Sequence, residues 1–160
     1  MRRSWLRGGP KDSRDGRSDP LDRLARVLVG LVGLHLAVTV LHAAAHAALQ
    51  ILPAGVDLAF IVGVILVGPV AAAGLLRFQR LVASVLAAVF MALSFVYGVY
   101  NHFLVPGPDH VSIVSSEAWT TVFVISGAAL GVLEIATALV AVVMFLSSAR
   151  TPSGPVEPPA

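Results

Sequence analysis

The sequence predicts an all-α fold, an integral membrane four-helix bundle with four transmembrane helices. Three observations lead there. The 160 residues are 57% hydrophobic and only 12% charged, about half the charged share of a soluble domain. The apolar residues come in four blocks of about 20 or more, the length that crosses a hydrocarbon core and too long for core helices of a small globular domain. The basic residues are sorted along the chain: eight of eleven lie at or before Arg26, and the others are Arg77, Arg80 and Arg150.

Residues 1–18 are polar, basic and Gly-rich. They bury too little apolar surface to fold alone and read as a disordered basic arm. Helix one is expected over residues 20–52. Asp19 is a good N-cap, Pro20 suits the first helical position, and Pro53 with Gly55 closes the run. Helix two is expected over 57–76, with Asp57 in the first turn, where the helix dipole favours a carboxylate. Gly68-Pro69 should kink it. Arg77-Phe78-Gln79-Arg80 reads as a tight basic turn. Helix three, 81–104, has no charged residue, and its end crowds Ser94, Tyr97, Tyr100, Asn101 and His102 into under three turns. A Pro/Gly-rich loop carrying Asp109 and His110 leads to helix four, 117–148, with Ser116 as expected N-cap and Glu117 in the first turn. Glu134 is its one charged residue beyond that turn. Residues 150–160 hold four prolines and no apolar run, and read as a disordered cytoplasmic tail.

Four spans put both termini on one side. The arm, the 77–80 turn and the tail then share all eleven basic residues, and the two opposite loops hold none. By the positive-inside rule both termini are expected in the cytoplasm, with the bundle in the cell membrane. The opposite face carries Asp57, Asp109 and Glu117. The lipid bilayer is the expected partner, either for the chain alone or for a homo-oligomer or larger membrane complex. The basic residues read as topology rather than as a nucleic-acid footprint, so no nucleic acid is expected.

The polar residues of helix one fall at His35, Thr39, His42 and His46, with Gln50 one step further. Steps of four, three and four place them on one helical face. Imidazoles on one stripe of an apolar helix should face the protein interior, where polar groups are functional candidates. At ~1.5 Å per residue, His35 lies roughly 22 Å and Glu134 roughly 24 Å from the outer helix ends. A His35–Glu134 hydrogen bond across helices one and four is therefore expected, as a buried pair or a proton relay, with coupled titration. Gly127, Gly131, Glu134, Ala138 and Ala141, with Thr137 beside them, form the expected buried stripe of helix four, and Gly127 with Gly131 makes a small-residue contact motif.

His42 and His46, one turn apart, can reach one ion from a single helix. His102, His110 and Asp109 fall in the same outer region and are candidate further ligands. With no cysteine, thiolate sites are excluded, and nitrogen and oxygen ligands suit Zn, Cu, Fe or Ni. A haem b between His42 or His46 and His102 is the alternative cofactor, with Tyr97 and Tyr100 as redox or quinone-site candidates. The expected function is a metal- or haem-binding membrane protein, open to a redox role, with a histidine cluster near the outer face. The alternatives are a small proton or solute channel or transporter subunit using His35 and Glu134, and a structural accessory subunit of a membrane complex. No catalytic residue is identified: Ser94, Ser112 and Ser115 lack a nucleophile setting, and there is no phosphate-binding glycine loop.

Overall fold

The computed structural model describes residues 19–112, 114 and 118–150. The expected arm 1–18, the Ser116 cap with Glu117, and the tail from 151 onward lie outside the described residues. Among those described there are four helices long and apolar enough to cross a membrane, and no strand: α1 (Pro20–Ala48), α2 (Gly55–Leu75), α3 (Arg80–Leu104) and α4 (Ala118–Ala149). α4 packs along both α1 and α3, and α2 packs on α3 and, through Gly68–Leu75, on α1. The outward faces carry Val40, Val96, Ile125, Val132 and Leu139. Water would penalise such faces, whereas hydrocarbon accepts them.

α1 begins as its sequence dictates. The Asp19 side chain accepts from the Leu21 amide at 3.0 Å, with Pro20 in the first turn. Its end comes earlier than Pro53 would impose. The Ile51 amide donates to His46 O at 2.9 Å and the Gln50 amide to Ala47 O at 3.1 Å, the paired bonds of a Schellman close. Gln50 takes the left-handed conformation, φ 59°, usually a glycine's place. It therefore leaves the polar stripe, is exposed, and bonds its own helix end.

α2 runs as an α-helix from Gly55 to Phe60, as a π-helix over Ile61–Val67, and as an α-helix again over Gly68–Leu75. Pro69 lacks an amide proton, and the wider π turns lie directly ahead of it, next to the point where a kink was expected. Gly68 is buried, and a Cβ there would lie 2.6–2.8 Å from the Phe90 ring. Gly68→Ala should therefore lower stability by about 1–3 kcal/mol, the usual cost of overpacking, against a helix-propensity gain of about 1 kcal/mol. Thermal unfolding in detergent checks this, and Phe90→Leu in the same chain should restore most of the loss.

The half of the bundle that holds the start of α1 is a closed apolar core. Leu28, Ala72, Ala83, Ala87, Ala141 and Met144 have no exposed surface, and Leu76 joins them. Arg80 reaches Asp22 at 2.6 Å, so the start of α1 and the α2–α3 turn lie at the same end of the bundle. Both side chains are exposed, so the pair contributes about 0–1 kcal/mol.

The buried face of α1 is Leu28, Val32, His35, Thr39, His42 and Ala45; that of α4 is Phe123, Ser126, Leu130, Glu134, Thr137, Ala141 and Met144. Gly127, Gly131 and Ala138, expected on that face, flank it half-buried. Read antiparallel, Leu28 matches Ala141, Val32 matches Thr137, His35 matches Glu134, Thr39 matches Leu130 and His42 matches Ser126. The residue numbers of each pair add to the same value within one.

Candidate metal centre

His42 and His46 project from the last two turns of α1. His102 comes from the C-terminal end of α3, where Tyr100–Leu104 forms a π turn closed by the Val105 amide on Tyr100 O at 3.0 Å. Ser94, on the buried face of α3, and His102 are eight residues apart, about 80° out of phase in a regular α-helix. The extra residue in the π turn reduces that offset and brings His102 round to the face shared with α1 and α4. Asn101 donates to Tyr97 O at 3.0 Å, satisfying the backbone beside the π turn. Its role is local.

The three imidazoles meet. His42 Nε2 lies 3.1 Å from His46 Nε2 and 3.3 Å from His102 Nε2. One ligand atom from each lies within 4.8 Å of the others. The tautomers follow from what the opposite ring nitrogens meet. His102 Nδ1 faces Asp109 O at 3.0 Å, and His46 Nδ1 faces Ile51 O at 3.2 Å. A carbonyl only accepts, so both nitrogens carry the proton. His42 Nδ1 faces Ser126 Oγ at 2.8 Å, and that hydroxyl donates its own proton to Val122 O at 2.6 Å. Bonded that way, the hydroxyl accepts from His42 Nδ1–H. With these tautomers all three Nε2 atoms present lone pairs toward one another.

Three lone pairs at this distance repel, and a cation between them removes the repulsion. Zinc–nitrogen bonds of 2.0–2.1 Å at tetrahedral angles give nitrogen–nitrogen edges of about 3.3–3.4 Å, close to the two short separations here. The Nδ1–H contacts to carbonyl and hydroxyl acceptors are the outer partners that orient metal-binding imidazoles. The residues present fit a small cation. They do not fit a haem between them. A haem held between two imidazoles would have to lie between their Nε2 atoms, whereas His42 Nε2 is only 3.1 and 3.3 Å from those of His46 and His102, with no room for a plate.

Phe123, 1% exposed, covers one side of the cluster, its ring centroid 5.0, 4.9 and 5.1 Å from those of His42, His46 and His102. Gly127 makes room for His42: a Cβ there would lie 3.3 Å from its ring. Gly131 instead receives Phe95, so the small-residue motif accommodates side chains rather than a helix backbone.

Asp109 lies at the rim. Its Oδ1 is 3.2 Å from His46 Nδ1 but lacks hydrogen-bond geometry and is buried without a partner, so the contact is electrostatic. Burial alone would raise its pKa, but the contact with His46 and, when those rings are protonated, the charges of His102 and His42 outweigh that and hold the carboxyl below the usual range. The stability this contributes is present above the ordinary carboxylate pKa of about 3.9 and is lost only as pH falls through the lowered value. Asp109→Asn keeps the carbonyl on His102 and removes the charge. It should weaken metal binding by about 10–100-fold, read by competition titration, with the fold unchanged.

His110, a candidate ligand, is not in the cluster. Its Nδ1 meets Ser112 Oγ at 2.7 Å and its Nε2 meets Phe103 O at 3.3 Å, so the loop itself engages both nitrogens. Tyr97 donates to Asp57 at 3.1 Å and stacks on Phe60, joining α2 to α3. His35 Nε2 lies 3.3 Å from Glu134 Oε1, both buried, about 10 Å along α1 from His42. Thr39, between the two groups, bonds back to His35 O and does not link them.

Ser126, Phe123 and the Ile51 carbonyl were not among the candidates. Ser126 was reachable: with His35 opposite Glu134 on antiparallel helices, the position opposite His42 is 126 or 127. No protein-family model matches the chain, and comparison with curated proteins and solved structures finds no significant similarity.

Proposed function

We propose that this membrane protein binds one transition-metal ion through His42, His46 and His102, with zinc the best fit. The observation that carries the reading is the convergence of three Nε2 atoms whose opposite ring nitrogens each meet an oxygen able to accept their proton. Three protein ligands leave a coordination position open, and a zinc ion so held would be a Lewis-acid centre. Copper and iron compete for the same nitrogens, copper more strongly on affinity alone, and a redox role would require one of them. The distribution of basic residues supports placing both termini in the cytoplasm and the cluster near the opposite face of the cell membrane.

The proton-relay reading has less support. The packed core around Leu28, Ala72 and Met144 closes the inner half, and the turned-back Thr39 hydroxyl breaks the polar stripe. An accessory-subunit role leaves the convergent lone pairs without an explanation. The test is metal analysis of protein purified in mild detergent without chelators, followed by titration of chelator-stripped protein with zinc and cobalt(II). One ion per chain, with the intense visible bands of tetrahedral cobalt, is expected. No binding above micromolar affinity overturns the reading and makes co-purification with a larger complex the next measurement.

A further inference from the structure

The cluster has a covered side and an open side. Phe123 covers one. On the other, His42, His46, His102 and Asp109 form the end wall of a cavity of about 470 Å³, and Glu134 lies in its far wall. That volume falls in the lower part of the small-ligand range.

The side walls are apolar, with Leu52, Ile61, Ile65, Phe95, Val99 and Leu130 among them. The polar groups that do line the cavity are already engaged. Thr39 bonds to His35 O, Ser94 to Phe90 O, and Tyr97 to Asp57, and Glu134 lies against His35. The hydroxyl protons along the walls are therefore spent within the protein, and a ligand body there meets mostly apolar surface, where a polar group would lose its water with little replacement. At the histidine end the requirement reverses: the open coordination position calls for an oxygen or nitrogen donor.

We infer that the cavity takes a single-chain amphiphile of the fatty-acid class. Its oxygen-bearing head group completes the coordination of the ion, and its hydrocarbon chain runs inward between the helices toward Glu134. The run from His42 to His35 is about 10 Å, and the volume suits one chain rather than a two-chain lipid. This inference rests on the metal reading above. The metal gives the head group its place, and the walls select the chain.

The test uses cobalt-loaded protein in lipid nanodiscs and straight-chain alkyl hydroxamates of increasing length, with binding read from the cobalt absorption spectrum. Each buried methylene should tighten binding by about fourfold, levelling off once the chain fills the cavity. Partition into the nanodisc also grows with chain length, so Gly98→Leu is the comparison. Gly98 lines the cavity, and a Cβ there would meet nothing within 4 Å. This variant should keep the cobalt spectrum and the response to the shortest probe while losing the gain with chain length. Ile65→Ala, which enlarges the cavity, should shift the levelling point to longer chains. Equal chain-length dependence in all three proteins, or a cobalt spectrum that no probe alters, overturns this inference and leaves the metal reading standing. Failure to load cobalt overturns both.

Discussion

Replacing His42 and His46 together by alanine should abolish stoichiometric metal binding, weakening it on the order of a thousandfold or more, since loss of an outer-shell partner alone costs 10–100-fold. The variant removes two of three nitrogens and leaves His102 as a single ligand. It should not unfold the protein. Alanine has the highest helix propensity, and Ser126 keeps its bonds to the carbonyls of its own helix. Without metal, the variant should lose the packing of both rings against Phe123, a cost that relief of the crowded lone pairs offsets only in part. With metal, only the parent protein should gain, by mass action on the folded state. Mass spectrometric metal content and unfolding curves with and without zinc measure both effects. Stoichiometric metal in the double variant would place the ion elsewhere.

Glu134→Ala should cost about 2–4 kcal/mol. The carboxylate and His35 are removed from solvent together, and breaking one half of a buried pair leaves the other unpaired in a medium that offers no replacement. Hydrogen bonds between helices in lipid average nearer 0.6 kcal/mol, so most of the loss comes from the stranded imidazole and the space left by the side chain. Glu134→Gln keeps a hydrogen-bonding oxygen or amide at the same place and should cost under about 1 kcal/mol. Cobalt loading should survive both substitutions, because the pair lies about 10 Å from the cluster. Thermal unfolding in detergent distinguishes the two variants. Equal losses would mean that charge, rather than pairing, is what the bundle needs at this position.

The four helices and the pairing of His35 with Glu134 were legible because both follow from counting. Apolar run length gives the spans, and rise per residue gives depth. The gathering of His42, His46 and His102 was legible only as a common region. What brings them into contact is the π turn at Tyr100–Leu104, and a one-residue shift in backbone pairing has no periodic signature. The close of α1 was obscured for a related reason. Pro53 and Gly55 are conspicuous breakers, whereas the turn is made by Gln50, an unremarkable residue in a left-handed conformation. The exclusion of His110 depends on Ser112 and the Phe103 carbonyl capturing its ring. Its nearness in sequence to Asp109 gave no hint of that.

The antiparallel register of α1 and α4 bears on how this protein can vary by descent. His35–Glu134 and His42–Ser126 are two rungs of one ladder, so the interval between rungs on each helix is fixed by the other. A one-residue deletion between Ser126 and Glu134 would turn one rung by about 100° and slide it ~1.5 Å relative to the other, separating two sites that a point substitution would disturb one at a time. Chains that share this site should therefore differ freely in their lipid-facing residues and in the length of their loops. They should conserve the number of residues between Ser126 and Glu134 more strictly than the identity of either.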